Sequence, residues 1–324
     1  MSSMIILGID KLEIDWGKYN RFADHSILFL QSDITLIPYY DDVVEMKEGF
    51  SRKLGSIKRR LDLLGYSLQT ILQKYEEHLG MMSAYYSDVA ISFEQFRRII
   101  NSIDFETIPA DSNYGVCNLD EFISYYVLRD PEVRRCLSPD IEIGADLNVF
   151  FANLDPYLTL RLLAENEKNV DRLVQWRSAD AVEVADDMVV TDWESRDNVV
   201  TPLSNAEKIL VVTEGSTDSF IIKRAMKTLS PDIADFFHFV DMEENYPFTG
   251  AGNLFNFCRG LSKIKIQNNV LAIFDNDAAG TESFDQVRNL HRPKNFPGSN
   301  VFCGYHLQPD MDVATSKLCN QFEW

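Results

Sequence analysis

The sequence predicts an α/β protein in two parts: an N-terminal α+β domain (a small antiparallel sheet plus helices), then a C-terminal parallel sheet sandwiched by helices. The second part rests on two runs, residues 209–213 (Ile-Leu-Val-Val-Thr) and 270–274 (Val-Leu-Ala-Ile-Phe). Both are almost wholly apolar, as strands buried on both faces of a parallel sheet are. Each leads directly into an acidic cluster that opens a helical pattern, the strand–helix alternation of βαβ units. Residues 1–177 instead mix short strand-like runs with several amphipathic stretches, which predicts the α+β arrangement.

Taken in order, residues 4–15 begin apolar and then alternate, predicting a strand with one exposed face. Residues 25–30 and 33–40 are two further strand candidates separated by Gln31-Ser32, with Trp16 and Tyr39 expected to pack on the sheet. From residue 50 to about 79 the pattern turns helical, broken near Gly65. Leu54, Ile57, Leu61, Leu64, Leu68, Ile71, Leu72 and Tyr75 trace one apolar side. More helices are expected at 93–103, 119–128 and 157–176, and Pro131 and Pro139 punctuate the region. Residues 178–204 are rich in Asp and Glu and read as an acidic linker, with 182–184 and 188–190 as candidate short strands.

In the C-terminal part, residues 219–229 place Phe220, Ile221, Ile222, Ala225, Met226 and Leu229 at helical spacing. Lys223, Arg224 and Lys227 fall on the polar side. A short strand (236–240), a loop with Gly250 and Gly252, a helix (254–264), the 270–274 strand, a helix (280–290) and a last strand (300–306) follow. Residues 309–324 show no packing period and read as a tail. Ligands of parallel sheets bind at the carboxyl ends of the strands. Glu214, Asp218, Asp275 and Asp277 would converge there as the hard oxygen donors that magnesium prefers. Alone, Asp-x-Asp is a common solvated turn and Glu-Gly-Ser-Thr-Asp a common helix start. The shared strand context and the order of the motifs favour the functional reading.

Glu214-Gly-x-x-Asp218 after a strand, the Gly250-x-Gly252 loop, and Asp275-x-Asp277-x-x-Gly280 after another strand resemble a Toprim domain over residues 205–308. The form Val-Thr-Glu-Gly-x-Thr-Asp is most similar to that of OLD-family nucleases. The resemblance implies a hydrolase cleaving DNA or RNA with Mg²⁺, or Mn²⁺ in its place. Asp275 and Asp277 would hold the ion, Asp218 would support it, and Glu214 would serve as ligand or general acid/base. Gly215, Gly250, Gly252 and Gly280 would let the backbone approach phosphate. Two alternatives stay open. One is nucleotidyl transfer of the topoisomerase or primase type, since 13 tyrosines include candidate nucleophiles. The other is non-catalytic nucleic-acid binding, as in RecR-like proteins.

The opening, with Leu12-Glu13-Ile14-Asp15-Trp16-Gly17-Lys18, Asp24-His25-Ser26 and Pro38-Tyr39-Tyr40, resembles the N-terminal domain attached to HEPN or Toprim modules in bacterial antiphage proteins. That implies a sensing, scaffolding or assembly role, through a protein partner or a second copy of the chain. A HEPN ribonuclease centre needs a wider Arg-to-His spacing than Arg21 and His25 offer, so no such site is assigned, and His25 is expected to be structural.

The 324 residues, 45% of them hydrophobic, suffice for two cores. No apolar run reaches membrane-spanning length and no signal-like leader is evident, so a cytoplasmic protein without membrane association is expected. Five cysteines without a C-x-x-C pair argue against a disulfide framework or zinc ribbon. A net charge of −19 opposes binding to a polyanion. The acidity is uneven: residues 201–324 hold 11 Lys+Arg against 15 Asp+Glu, residues 1–200 hold 20 against 35. Lys223, Arg224, Lys227, Arg259, Lys263, Lys265, Arg288, Arg292 and Lys294 are candidates for a phosphate track, although solvated helix faces account for most of them.

Overall fold

The computed structural model describes residues 5–16, 24–40, 44–83, 91–107, 117–137, 139, 141, 145–177, 203, 208–240, 250–264, 266, 268–290 and 301–306. The chain divides into two compact units, residues 1–201 and 202–324.

The N-terminal unit opens with a hairpin of β1 (Ile5–Ile9) and β2 (Leu12–Trp16) where the sequence predicts one strand. Ile9 pairs with Leu12 and Asp10 turns the chain at φ 50°, a left-handed conformation that a short polar side chain tolerates. Residues 25–30 are not a strand. The Asp24 carboxylate accepts the Ser26 amide at 2.8 Å, and the chain curls into a 3-10 turn over Ser26–Leu28. β3 (Ile34–Tyr40) is the expected strand, with Tyr39 buried. β4 (Val44–Lys53) is antiparallel to β3 and takes Phe50 from the predicted helix. The helical stretch therefore begins later, as α1 (Leu54–Leu63), and resumes as α2 (Ile71–Ser83) after a break at Gly65, whose φ is 85°.

α3 (Phe93–Asn101) starts at a reciprocal Ser92/Gln95 capping box. Then come β5 (Cys117–Asn118), α4 (Leu119–Tyr125), α5 (Pro131–Arg134), α6 (Ala145–Asn153) and α7 (Pro156–Leu163). The predicted helix 157–176 stops at Leu163. Asn166 accepts the Lys168 amide and starts a 3-10 turn, and residues 173–176 become β6 (Leu173–Trp176). β6 lies between β4 and β1, antiparallel to both, and fully buries Val174 and Trp176. Strand pairing and aromatic packing outweigh local helical spacing there. The sheet order is β3-β4-β6-β1-β2-β5, antiparallel except for β2 with β5. Its core centres on Trp176, stacked on Phe50 at 5.2 Å and on Phe29 at 6.0 Å. A helical focus pairs Tyr75 with Phe96 at 5.1 Å. The Trp16 side chain and the candidate strands 182–184 and 188–190 lie outside the described residues.

The C-terminal unit runs β7 (Ile209–Thr213), α8 (Ser216–Leu229), β8 (Phe237–Phe239), α9 (Ala251–Lys263), β9 (Val270–Asp275), α10 (Ala278–Leu290) and β10 (Val301–His306). All four strands are parallel, in the order β10-β9-β7-β8. The chain steps from β7 to β8, then returns to the other side of β7 as β9. The direction of travel reverses at β7. Right-handed crossovers then put α8 on one face and α9 and α10 on the other. Val212, Val270, Ala272 and Phe274 pack with Leu254, Cys258 and Leu261 of α9 and Val287 of α10, while α8 adds nothing to that cluster. Residues 309–324 lie outside the described ones. Among the described residues, no helix is long and apolar enough to cross a membrane.

Candidate functional site

Because the strand order reverses at β7, the carboxyl ends of β7 and β9 form a topological switch point, the usual ligand position in an open α/β sheet. Because Thr213 pairs with Ile273, the residues just beyond reach across the same gap. Glu214 Oε1 accepts the Asp275 amide at 2.9 Å. The Gly250 amide, opening α9, donates to the Glu214 carbonyl at 3.2 Å. Three segments far apart in sequence thus meet at Glu214. Asp277 sits two residues past β9's Phe274–Asp275 end and accepts the Gly280 amide on Oδ1 at 2.7 Å, capping α10. Asp218 lies in the first turn of α8, where the positive end of the helix dipole favours a carboxylate.

Electrostatics ties the four acids together. Burial pushes the Glu214 carboxyl above its ordinary value, and the negative charges of Asp275, Asp277 and Asp218 push it further against the stabilising Asp275 amide. None of the four forms an ion pair among the described residues. Hard oxygen donors carrying uncompensated charge fit a divalent cation in chemistry. The geometry is not a closed cage: among the described residues no three His, Cys, Asp or Glu side chains are grouped to hold a metal ion. Glu214 Oε1 and Asp277 Oδ1 are committed to backbone amides, which leaves the second oxygen of each outside those bonds.

The glycines divide by physical role. Gly280 is required for packing, since a Cβ would lie 2.0 Å from the Asp275 carbonyl oxygen and 2.9 Å from Glu214 Oε1. Gly250 needs its freedom for a φ of 89°. Gly215 is extended (φ −134°), and a Cβ there would press on Asp218 Oδ2 at 3.3 Å. Gly252 is helical, with open space where a Cβ would go.

Two positions escaped the sequence reading. The Thr213 hydroxyl donates to the Gly215 carbonyl at 2.7 Å and pairs with Ser219 Oγ at 2.9 Å, clamping the turn that presents Glu214. The signal was a hydroxyl residue ending an otherwise apolar strand, with a serine in the next helical turn. Of the basic candidates, Lys223, Arg224 and Lys227 gather on α8 along one groove. Arg259, Lys263 and Arg288 are exposed on α9 and α10, and Lys265, Arg292 and Lys294 lie outside the described residues. In the other unit His25 is buried, 3.1 Å from Asp15 Oδ2 and 3.4 Å from the Tyr157 hydroxyl, the structural position expected of it.

A sequence profile of HEPN/Toprim N-terminal domain 1 matches residues 1–191. No curated protein and no solved structure matches the chain. The profile covers the N-terminal unit's described elements and agrees with the resemblance carried by residues 12–40, which makes the chain nuclease-related. The chain belongs to the HEPN/Toprim N-terminal domain 1 family.

Proposed function

We propose that the C-terminal unit is a Toprim-like, Mg²⁺-dependent nuclease that cleaves DNA or RNA phosphodiesters as an effector of antiphage defence. The observation that carries this reading is the contact of Glu214 with Asp275 at the switch point of a parallel sheet, with Asp218 and Asp277 close enough to raise the Glu214 pKa. When bound, Mg²⁺ or Mn²⁺ would supply charge stabilisation for the phosphoryl oxygens and a more acidic water. Asp275 and Asp277 would hold the ion and Asp218 would support it. Glu214, with its raised proton affinity, holds or takes a proton at its second carboxylate oxygen, next to the position a scissile phosphate would occupy. α8 begins directly after Glu214 and Gly215, so its first amides and dipole would offer a favourable seat for phosphate oxygens at the same strand ends. The N-terminal unit would sense the trigger or assemble the effector, through a protein partner or a second copy.

A second reading, a non-catalytic RecR-like binding module, is favoured by the open geometry among the described residues and by the net charge of −19. The test is cleavage of plasmid, single-stranded DNA and RNA by the full chain with Mg²⁺ or Mn²⁺, beside Glu214→Gln and Asp275→Asn. The nuclease reading expects cutting by wild type and a loss of about 10²-fold or more in each variant. If wild type and both variants bind nucleic acid alike and none cuts, the binding-module reading replaces it. A trapped covalent protein–DNA adduct would instead mark a topoisomerase-type transfer.

A further inference from the structure

α8 is unusual for a helix beside a sheet, because Ser219 is its only buried residue. One stripe of it, Ser216, Phe220, Lys223 and Lys227, follows the i, i+4, i+7, i+11 spacing of a single helical face. This stripe, with Arg224 beside it, lines a groove of about 300 Å³ floored by Phe239 and Val240 at the carboxyl end of β8. Phe220 is 63% exposed. An aromatic ring that the core does not use stands directly beside three cations. None of Lys223, Arg224 and Lys227 pairs with a carboxylate among the described residues, although the chain as a whole is strongly acidic. The groove begins at Ser216, two residues from Glu214.

We propose that this groove holds a single-stranded stretch of nucleic acid next to the scissile phosphate, with a base stacked on Phe220 and the backbone tracked by Lys223, Arg224 and Lys227. The proposal rests on the nuclease reading for its link to cleavage, and on charge complementarity for its occupant. Aromatic rings beside cations are how sequence-tolerant single-strand sites are built: every base offers a π-face, and phosphates supply the charge. A duplex hides its base faces and would gain only from the cations. An acidic protein segment would also find the cations, but it would not need an exposed ring at this position. Three cations make a short track, consistent with modest affinity and a salt slope of about 2 in log K.

The test separates binding from cutting. Fluorescence anisotropy with 5′-labelled oligo-dT and oligo-U of about 12 nucleotides, and with a duplex of the same length, is measured on the full chain in EDTA, where cleavage is silent. Phe220→Ala should weaken single-strand binding roughly tenfold or more, Phe220→Trp should retain it, and duplex binding should change little. The combined variant K223Q/R224Q/K227Q should flatten the dependence of log K on log salt by about 2, some 0.7 per lost cation. Wild-type affinity in Phe220→Ala, or an unchanged salt slope in the triple variant, overturns the groove. So does equal binding of duplex and single strand. If the groove variants behave as expected but neither wild type nor Glu214→Gln cuts in Mg²⁺, the nuclease reading fails while the groove stands. If wild type cuts and Phe220→Ala cuts with unchanged KM and kcat, the groove fails alone.

Discussion

In the N-terminal unit, buried Arg161 meets Asp62 at 2.8 Å and contacts Glu165 as well, Arg52 meets Asp33, and Arg172 bridges Asp10 and Glu106 at 2.7 and 2.6 Å. In the C-terminal unit none of the described Lys and Arg side chains joins an ion pair. Glu214, Asp218, Asp275 and Asp277 gather around the ends of β7 and β9, and Lys223, Arg224 and Lys227 line one groove on α8. Charge is paired in one unit and segregated in the other. Paired charges serve folding, because each compensates the desolvation of its partner. Segregated charges leave local fields that a ligand can compensate, and their mutual repulsion is destabilising. Binding is therefore favoured in the C-terminal unit, although the overall charge of the chain opposes it.

Glu13 is the exception that can break this contrast. It lies on β2, 3% exposed, and its Oε2 has no hydrogen-bond partner among the described residues. Burial, then the charges of Asp120, Asp15 and Glu121, push its carboxyl up from 4.5 to about 8, opposed only by Arg177. A carboxyl with a raised pKa keeps its proton in the fold after the unfolded chain has lost it. Its contribution to stability is therefore full below pH 4.5 and is lost as pH rises toward 8. From pH 4.5 to 8 wild type should lose on the order of 4 kcal/mol through this one residue. Glu13→Gln should flatten that part of the profile, read by urea unfolding across the same range. Parallel profiles for the two proteins would mean that Glu13 is satisfied in solution and the contrast between units is complete.

Arg161→Met probes the paired side directly. The Arg161 side chain is 4% exposed while Asp62 retains 39%, so the loss should sit near or below the fully buried case, about 2–4 kcal/mol. Burial alone would raise the Glu165 carboxyl, but hydrogen bonds and charge from Arg161 and Lys58 hold it below its usual value. A depressed carboxyl contributes stability above its unfolded pKa and loses it as pH falls through the folded one. The variant should therefore be less acid-sensitive than wild type as well as weaker. Hydrogen exchange of peptides from α1 and α7 localises the effect, and unchanged protection there would show that the ion pairs add nothing.

These contrasts explain what the sequence let one read. The C-terminal unit was legible nearly element by element, because β7 and β9 are continuous apolar runs that each lead into an acidic cluster at the carboxyl end. Glu214 and Asp275 meet because their strands are neighbours, an outcome the topology rules already favour. β4 was invisible: Glu45, Met46, Lys47 and Glu48 are all exposed, so no alternation marks them, and the strand shows itself only through its pairing with β3 and β6. β6 was hidden inside a helical pattern, since Val174 and Trp176 are buried by cross-strand packing that no local window contains. At the site the acids were found from their types and spacing. The Thr213–Ser219 clamp was not, because its hydroxyls matter through a hydrogen bond that forms only once helix follows strand.

The smallest effect tests the segregated side at Glu214. Glu214→Gln keeps an oxygen that can accept the Asp275 amide and removes one of four mutually repelling charges. A variant that merely damaged the fold would lower stability; this one should raise it slightly, by less than about 1 kcal/mol because the carboxylate is largely screened by solvent. The sign follows from the raised pKa: the folded site resists ionisation, so wild type is penalised above the unfolded pKa and the amide is not. Magnesium should reverse the order. A ligand that binds only the folded site stabilises it by about 1.4 kcal/mol at ten times its Kd, and the variant forfeits a donor oxygen and the charge that attracts the ion. Thermal unfolding followed by hydrogen exchange in α8 and α10, with and without Mg²⁺, reads both effects without depending on catalysis. If Glu214→Gln is destabilised in EDTA and Mg²⁺ shifts both proteins equally, the acids at the switch point are structural, and the charge segregation of this unit has another cause.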